Sequence, residues 1–159
     1  MIKRELYMKR IRPFIGSDLI KVMTGIRRCG KSVMLELIKE ELIESGVNPT
    51  QFISINFEDL SFSHLQTAQS LHDEITSRAK EIGGKVYLFF DEIQEVKDWE
   101  KCINSFRVLP SGFPHTLDKL RFVVLHIPAH ALNCGEYRGF DFLCGNVVHR
   151  TVTGKMTIA

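Results

Sequence analysis

The chain has 159 residues, 44% of them hydrophobic, 25% charged and 9% aromatic, with a net charge of +2. That is the material of one ordinary soluble domain with a real core, not of a disordered or fibrous chain. No apolar run approaches the roughly 18 residues of a membrane-spanning helix, so no membrane partner is expected. The basic start, "MIKRELYMKRIRPF", lacks the apolar stretch and cleavage site of a secretory signal, which makes the cytoplasm the expected address. Cys29, Cys102, Cys134 and Cys144 form no C-x-x-C pair and no zinc-like spacing, so free thiols are expected. The charge is uneven: +7 over residues 1–31, −7 over 32–107 and +2 over 108–159. A basic first segment suits an anionic partner, or simply a solvated helix face.

In chain order, residues 2–14 predict a short amphipathic helix ending near Pro13 and Gly16. "DLIKVMTG" (18–25) reads as a buried strand. After Gly30-Lys31-Ser32, Met34, Leu37, Ile38 and Leu42 form one stripe against Glu36, Lys39, Glu40 and Glu44, a helix that Gly46 stops. "QFISINF" (51–57) alternates as a strand does. Residues 64–82 predict a helix closed by Gly83-Gly84. "KVYLFF" (85–90) is a continuous apolar strand landing on Asp91-Glu92. Residues 96–108 predict a helix with Trp99, Cys102, Ile103 and Phe106 on one side. Strand and helix alternate throughout, which builds an α/β fold: a mainly parallel sheet with helices on both faces, a three-layer sandwich. Ligands on such sheets sit beyond the carboxyl ends of the strands, where both Gly25 and Asp91 fall.

"GIRRCGKS" (25–32) is G-x-x-x-x-G-K-[ST], a phosphate-binding loop between a strand and a helix. Glycines let main-chain N–H groups converge on phosphate oxygens, and the following helix offers its positive end. The expected nucleotide contacts are Gly25, Arg28, Cys29, Gly30, Lys31, Ser32 and Val33. Lys31 reaches the β- and γ-phosphates and Ser32 a Mg²⁺ ion. Arg27 and Arg28 raise the local positive potential. Flanked by these cations and a helix N-terminus, Cys29 is expected to be reactive, and its alkylation to block nucleotide binding.

"VYLFFDEIQ" (86–94) supplies the second half. Asp91 is the expected second Mg²⁺ ligand and Glu92 the base that activates water. Alone, Asp-Glu after a strand also suits a helix N-cap. A carboxylate directly after the metal residue favours hydrolysis over transfer to an acceptor, and the absence of N-K-x-D or T-K-x-D favours adenine over guanine. ATP and Mg²⁺ are thus the expected cofactors, with Glu92 and Lys31 as catalytic residues. A non-catalytic nucleotide-binding remnant and a small kinase on the same loop are the alternatives.

With these residues in hand, the chain resembles the AAA+ ATPases, and more narrowly the prokaryotic ATP-binding family with an AAA-type N-terminal half and a C-terminal half of uncharacterised function. "KVMTGIRRCGKSVML", "FISINFEDL" and "YLFFDEIQEVKDWEKCINSFR" carry the resemblance, over about residues 1–107. It implies ATP hydrolysis, Mg²⁺ dependence and one further strand between those ending at Gly25 and Asp91. It also matches Asn56 to a polar residue that can hold the catalytic glutamate inactive, a position where Asn equally serves as a turn residue. A homo-oligomer and a protein or nucleic-acid partner stay open.

After Arg107 the pattern departs. Residues 108–159 hold four of the six histidines, three of the five prolines and a single glutamate, with no "TGSN"-like or "SGR"-like phrase. The expected division is therefore a P-loop ATPase core, 1–107, and an atypical tail, 108–159, that a frameshift, deletion or fusion would explain. The fold is then expected to be incomplete at its C-terminus. Only "LRFVVLHI" (120–127) is apolar and long enough to fill the missing strand. It would put His126 near the sensor position, with the rest of the tail poorly ordered. Without the later arginine, turnover is expected to be slow.

Overall fold

The computed structural model describes residues 5–15, 20–25, 30–106, 120–128, 141–145, 148–150 and 156–158. Helix α1 spans Glu5–Ile11 and runs into a 3-10 turn at Arg12–Phe14, where Pro13 fits the first turn. Strand β1 (Ile20–Gly25) is followed by α2 (Lys31–Glu44), β2 (Phe52–Asn56), α3 (Ala68–Glu81), β3 (Val86–Asp91) and α4 (Trp99–Ser105). Four strands follow: β4 (Leu120–Pro128), β5 (Asp141–Gly145), β6 (Val148–Arg150) and β7 (Met156–Ile158).

The main sheet has five strands in the order β2-β3-β4-β1-β5. Its first four are mutually parallel, and β5 runs antiparallel along β1. Strands β6 and β7 form a separate antiparallel pair. The slot expected between β1 and β3 is occupied by β4, from the stretch singled out as the only apolar candidate.

The periodicity of each strand distributes its side chains between two cores. Ile20 and Val22 of β1, Ile53 and Ile55 of β2, and Val86, Leu88 and Phe90 of β3 pack with Leu71, Ile75 and Ala79 of α3. Trp99, Cys102, Ile103 and Phe106 join that cluster, so the stripe expected in the fourth helix is buried as a unit. Met23, Tyr87 and Phe89, from alternate positions, pack with Met8 and Ile11 of α1 and with Met34, Leu35, Leu37, Ile38 and Leu42 of α2. The molecule is thus a mixed α/β fold around a small parallel sheet. Every residue of β3 is buried, as a central parallel strand requires. Lys21 is also fully buried in β1, a charge that apolar periodicity did not mark.

Helix ends have identifiable causes. Ser45 N–H donates to the Glu41 carbonyl and Val47 N–H to that of Leu42, while Gly46 takes φ +97°, the left-handed closure glycine permits. Thr67 and Ser70 cap α3 reciprocally, which moves its start from the expected 64 to 68. Leu65, just before the cap, is buried and had extended the apparent helical stripe.

Candidate functional site

Strand β1 ends at Gly25, the first glycine of the phosphate-loop motif. Residues 26–29 lie outside the described residues, and with them Arg28 and Cys29 of the expected cradle and the expectation for Cys29 reactivity. The structure resumes at Gly30, the N-cap of α2, at φ 86° and ψ 35°. That left-handed conformation favours glycine at this place. Lys31 opens the helix and is almost completely buried at 3% exposure, whereas Ser32 and Val33 are exposed. No side chain caps α2, and no acidic residue lies in its first turn. Among the described residues, the positive end of this 14-residue helix thus meets no capping side chain and no first-turn carboxylate, in contrast to α3, which Thr67 caps.

Asp91 is the last residue of β3 and is 7% exposed. Its main-chain carbonyl accepts the Phe57 N–H at 3.0 Å, and in the ladder it faces Asn56. The Asn56 side-chain oxygen accepts the Glu58 N–H at 3.0 Å, so the turn role read for Asn56 is the one its hydrogen bonding serves. Glu92 leaves the strand with φ 55° and ψ 40°, one of two non-glycine residues at positive φ among those described. The Gln94 side-chain amide donates to Oε2 of Glu92, and the Gln94 side-chain oxygen is buried with no hydrogen-bond partner among the described residues. Sequence reasoning passed over Gln94. Its signal was the two-residue spacing from Glu92 in "DEIQ", which only the 3-10 turn Ile93–Glu95 turns into contact.

The ladders bring both halves to one end of the sheet. Val22 pairs with Leu125, and Leu125 with Phe90, so these three residues stand in one row. Asp91 lies one residue beyond that row on β3, and Gly25 three residues beyond it on β1. With β4 between them, the two strands are about 10 Å apart. His126 of β4 pairs with Met23, one row beyond Leu125 towards the site end, as Asp91 is one residue beyond Phe90.

The donor set near this edge is oxygen: the Ser32 hydroxyl and the Asp91 carboxylate. No group of three or more His, Cys, Asp or Glu that could hold a metal ion occurs among the described residues. That fits a hard cation held by one or two protein oxygens and completed by phosphates and water, and does not fit a soft-metal cage.

A family model described as an AAA domain matches residues 17–117. The chain belongs to this AAA domain family. Membership in a branch of the P-loop NTPases points to nucleotide binding of the ATPase kind. The chain is 35% identical over 108 residues to an uncharacterised protein of Haemophilus influenzae, covering 68% of this chain and 27% of that one. It is 34% identical over 113 residues to an uncharacterised protein of Methanocaldococcus jannaschii, covering 71% of this chain and 22% of the other. The aligned region thus spans about a quarter of these curated relatives' length. No solved structure matches the chain significantly. Among the described residues, no helix is long and apolar enough to cross a membrane.

Proposed function

We propose that this AAA domain binds ATP with Mg²⁺ and hydrolyses the bond between its β- and γ-phosphates. The observation that carries the reading is the shared sheet edge. Behind a G-x-x-x-x-G-K-S loop, a helix N-terminus with no acidic residue in its first turn stands two strands from the buried strand-end Asp91 and the half-buried Glu92 that follows it.

In this reading the main chain of Gly25, Arg28, Cys29, Gly30 and Val33 cradles the phosphates, and the Lys31 ammonium binds their β and γ oxygens. Ser32 and Asp91 hold the Mg²⁺, which when bound neutralises phosphate charge. Glu92 accepts a proton from water as the water oxygen bonds to the γ-phosphorus. The bond from that phosphorus to the bridging oxygen breaks, ADP leaves with the electron pair, and Glu92 returns its proton to solvent. The reading carries with it a three-layer sandwich, a catalytic core over residues 1–107 with β4 donated by the tail, and a cytoplasmic setting where ATP is made.

Calorimetric titration of Mg-ATP combined with a turnover assay tests the proposal. Lys31→Ala is expected to weaken binding by about 1.5–3 kcal/mol, the worth of a hydrogen bond to a charged group. Glu92→Gln is expected to keep binding and lose about 10²–10⁴ in turnover. Unchanged binding in Lys31→Ala would overturn the reading. Tight binding with no turnover in the parent chain would reduce it to a non-catalytic nucleotide binder. ADP formed only with an added acceptor would make it a kinase.

A further inference from the structure

Two unfavourable features meet within three residues, at the point where β3 hands over to α4. Glu92 is held in the left-handed region that side chains with a Cβ disfavour, and the buried side-chain oxygen of Gln94 has no partner among the described residues. Both would be avoided by other residues at these positions, since glycine accepts the first conformation and an apolar side chain leaves no orphan acceptor. Across the pair the Gln94 side-chain amide donates to Oε2 of Glu92. The orientation of that amide follows from chemistry: a carboxylate offers only acceptors, so the NH₂ end must face it and the carbonyl must face away.

We infer that Gln94 is a positioning residue for Glu92. It holds the carboxylate through Oε2 and so sets the orientation in which Glu92 meets the attacking water. The 3-10 turn Ile93–Glu95 makes this possible, because it folds residue 94 back over residue 92, and buried Ile93 and Val96 anchor the turn in the core. Asn56 is occupied differently, with its side-chain oxygen taken by the Glu58 N–H. One restraint on Glu92 therefore comes from its own turn, a source the family resemblance did not point to. The inference rests on the proposed role of Glu92 as the base.

A double-substitution cycle in the full chain tests it, reading turnover, KM, Mg-ATP binding and melting temperature. Gln94→Leu is expected to lower kcat about ten- to a hundredfold, as misplacement of a catalytic group does, with KM and Mg-ATP binding unchanged. Gln94→Glu, of equal length but unable to donate, is expected to do the same. In a Glu92→Gln background neither change should lower turnover further, because the carboxylate to be positioned is gone. Gln94→Leu should melt no lower than the parent, since it removes the orphaned carbonyl. Should Gln94→Leu not fold, Gln94→Glu carries the same cycle.

Additive effects in the Glu92→Gln background, or full kcat in both Gln94 variants, would overturn the inference while leaving Glu92 as the base. Full turnover in Glu92→Gln alone would overturn the assignment of the base, and the role of Gln94 with it. The two failures are read from different variants.

Discussion

Cys102 shows how far one residue's chemistry depends on where the chain buries it. From the sequence it is a free thiol on a helical stripe; in the structure it sits in the core beside Ile103 and Phe106. Burial, with a smaller contribution from the charge of Asp73, pushes its thiol up to about 12 from an ordinary 9.0. The sign follows directly. Between those values the unfolded chain releases the proton and the folded chain keeps it, so this contribution to stability is complete below pH 9 and is lost as pH rises towards 12. Cys102 is expected to resist alkylation in the native protein at pH 8 and to react at an ordinary rate in denaturant, which mass spectrometry of the modified peptide checks. Rapid native labelling would mean the helix packs less tightly than described. Glu92 and Gln94 belong to the same scale. "DEIQ" announced a carboxylate of interest, but a backbone angle and a contact two residues away are not visible in residue types.

The helices were legible where their stripes were strong and misread where local chemistry intervened. Met34, Leu37, Ile38 and Leu42 are all buried in α2, as their spacing required. For α3, the buried Leu65 suggested an earlier start, yet the Thr67 and Ser70 pair stops the helix from extending there. Thr67→Ala is expected to destabilise the domain by about 1 kcal/mol, measured as a shift in denaturant midpoint. No change would mean that the contact of this segment with Lys97 holds the turn instead. Arg12 belongs to the basic first segment, whose composition suits an anionic partner or a solvated helix face alike. It bonds Glu5 within its own segment and Glu41 of α2 at 2.7 Å, and both contacts raise its already high pKa further. A partner 29 positions away cannot be read from local pattern, and at this exposed pair the gain is small.

At the scale of the molecule the deciding element is β4. It pairs with β1 on one side and β3 on the other, and both neighbours bury nearly all their described side chains. A chain ending at residue 119 would leave these two central strands with unpaired N–H and C=O groups and exposed apolar faces. That truncation is expected to aggregate or to show no cooperative thermal transition by circular dichroism, while the full chain melts as one unit. A soluble, cooperatively melting 1–119 fragment would show that β4 is dispensable to the core.

The sequence by itself determined the alternation of strands and helices, the glycine-lysine loop at the end of β1 and the carboxylates at the end of β3. Each of these is written in spacing and residue type over a dozen positions or fewer. Only the tertiary structure decided that β4 lies between those two strands, that β5 closes the sheet antiparallel, and that Gln94 reaches Glu92. Those outcomes depend on which distant segments share backbone hydrogen bonds and on how a short turn aims its side chains. Neither is a property of any local stretch.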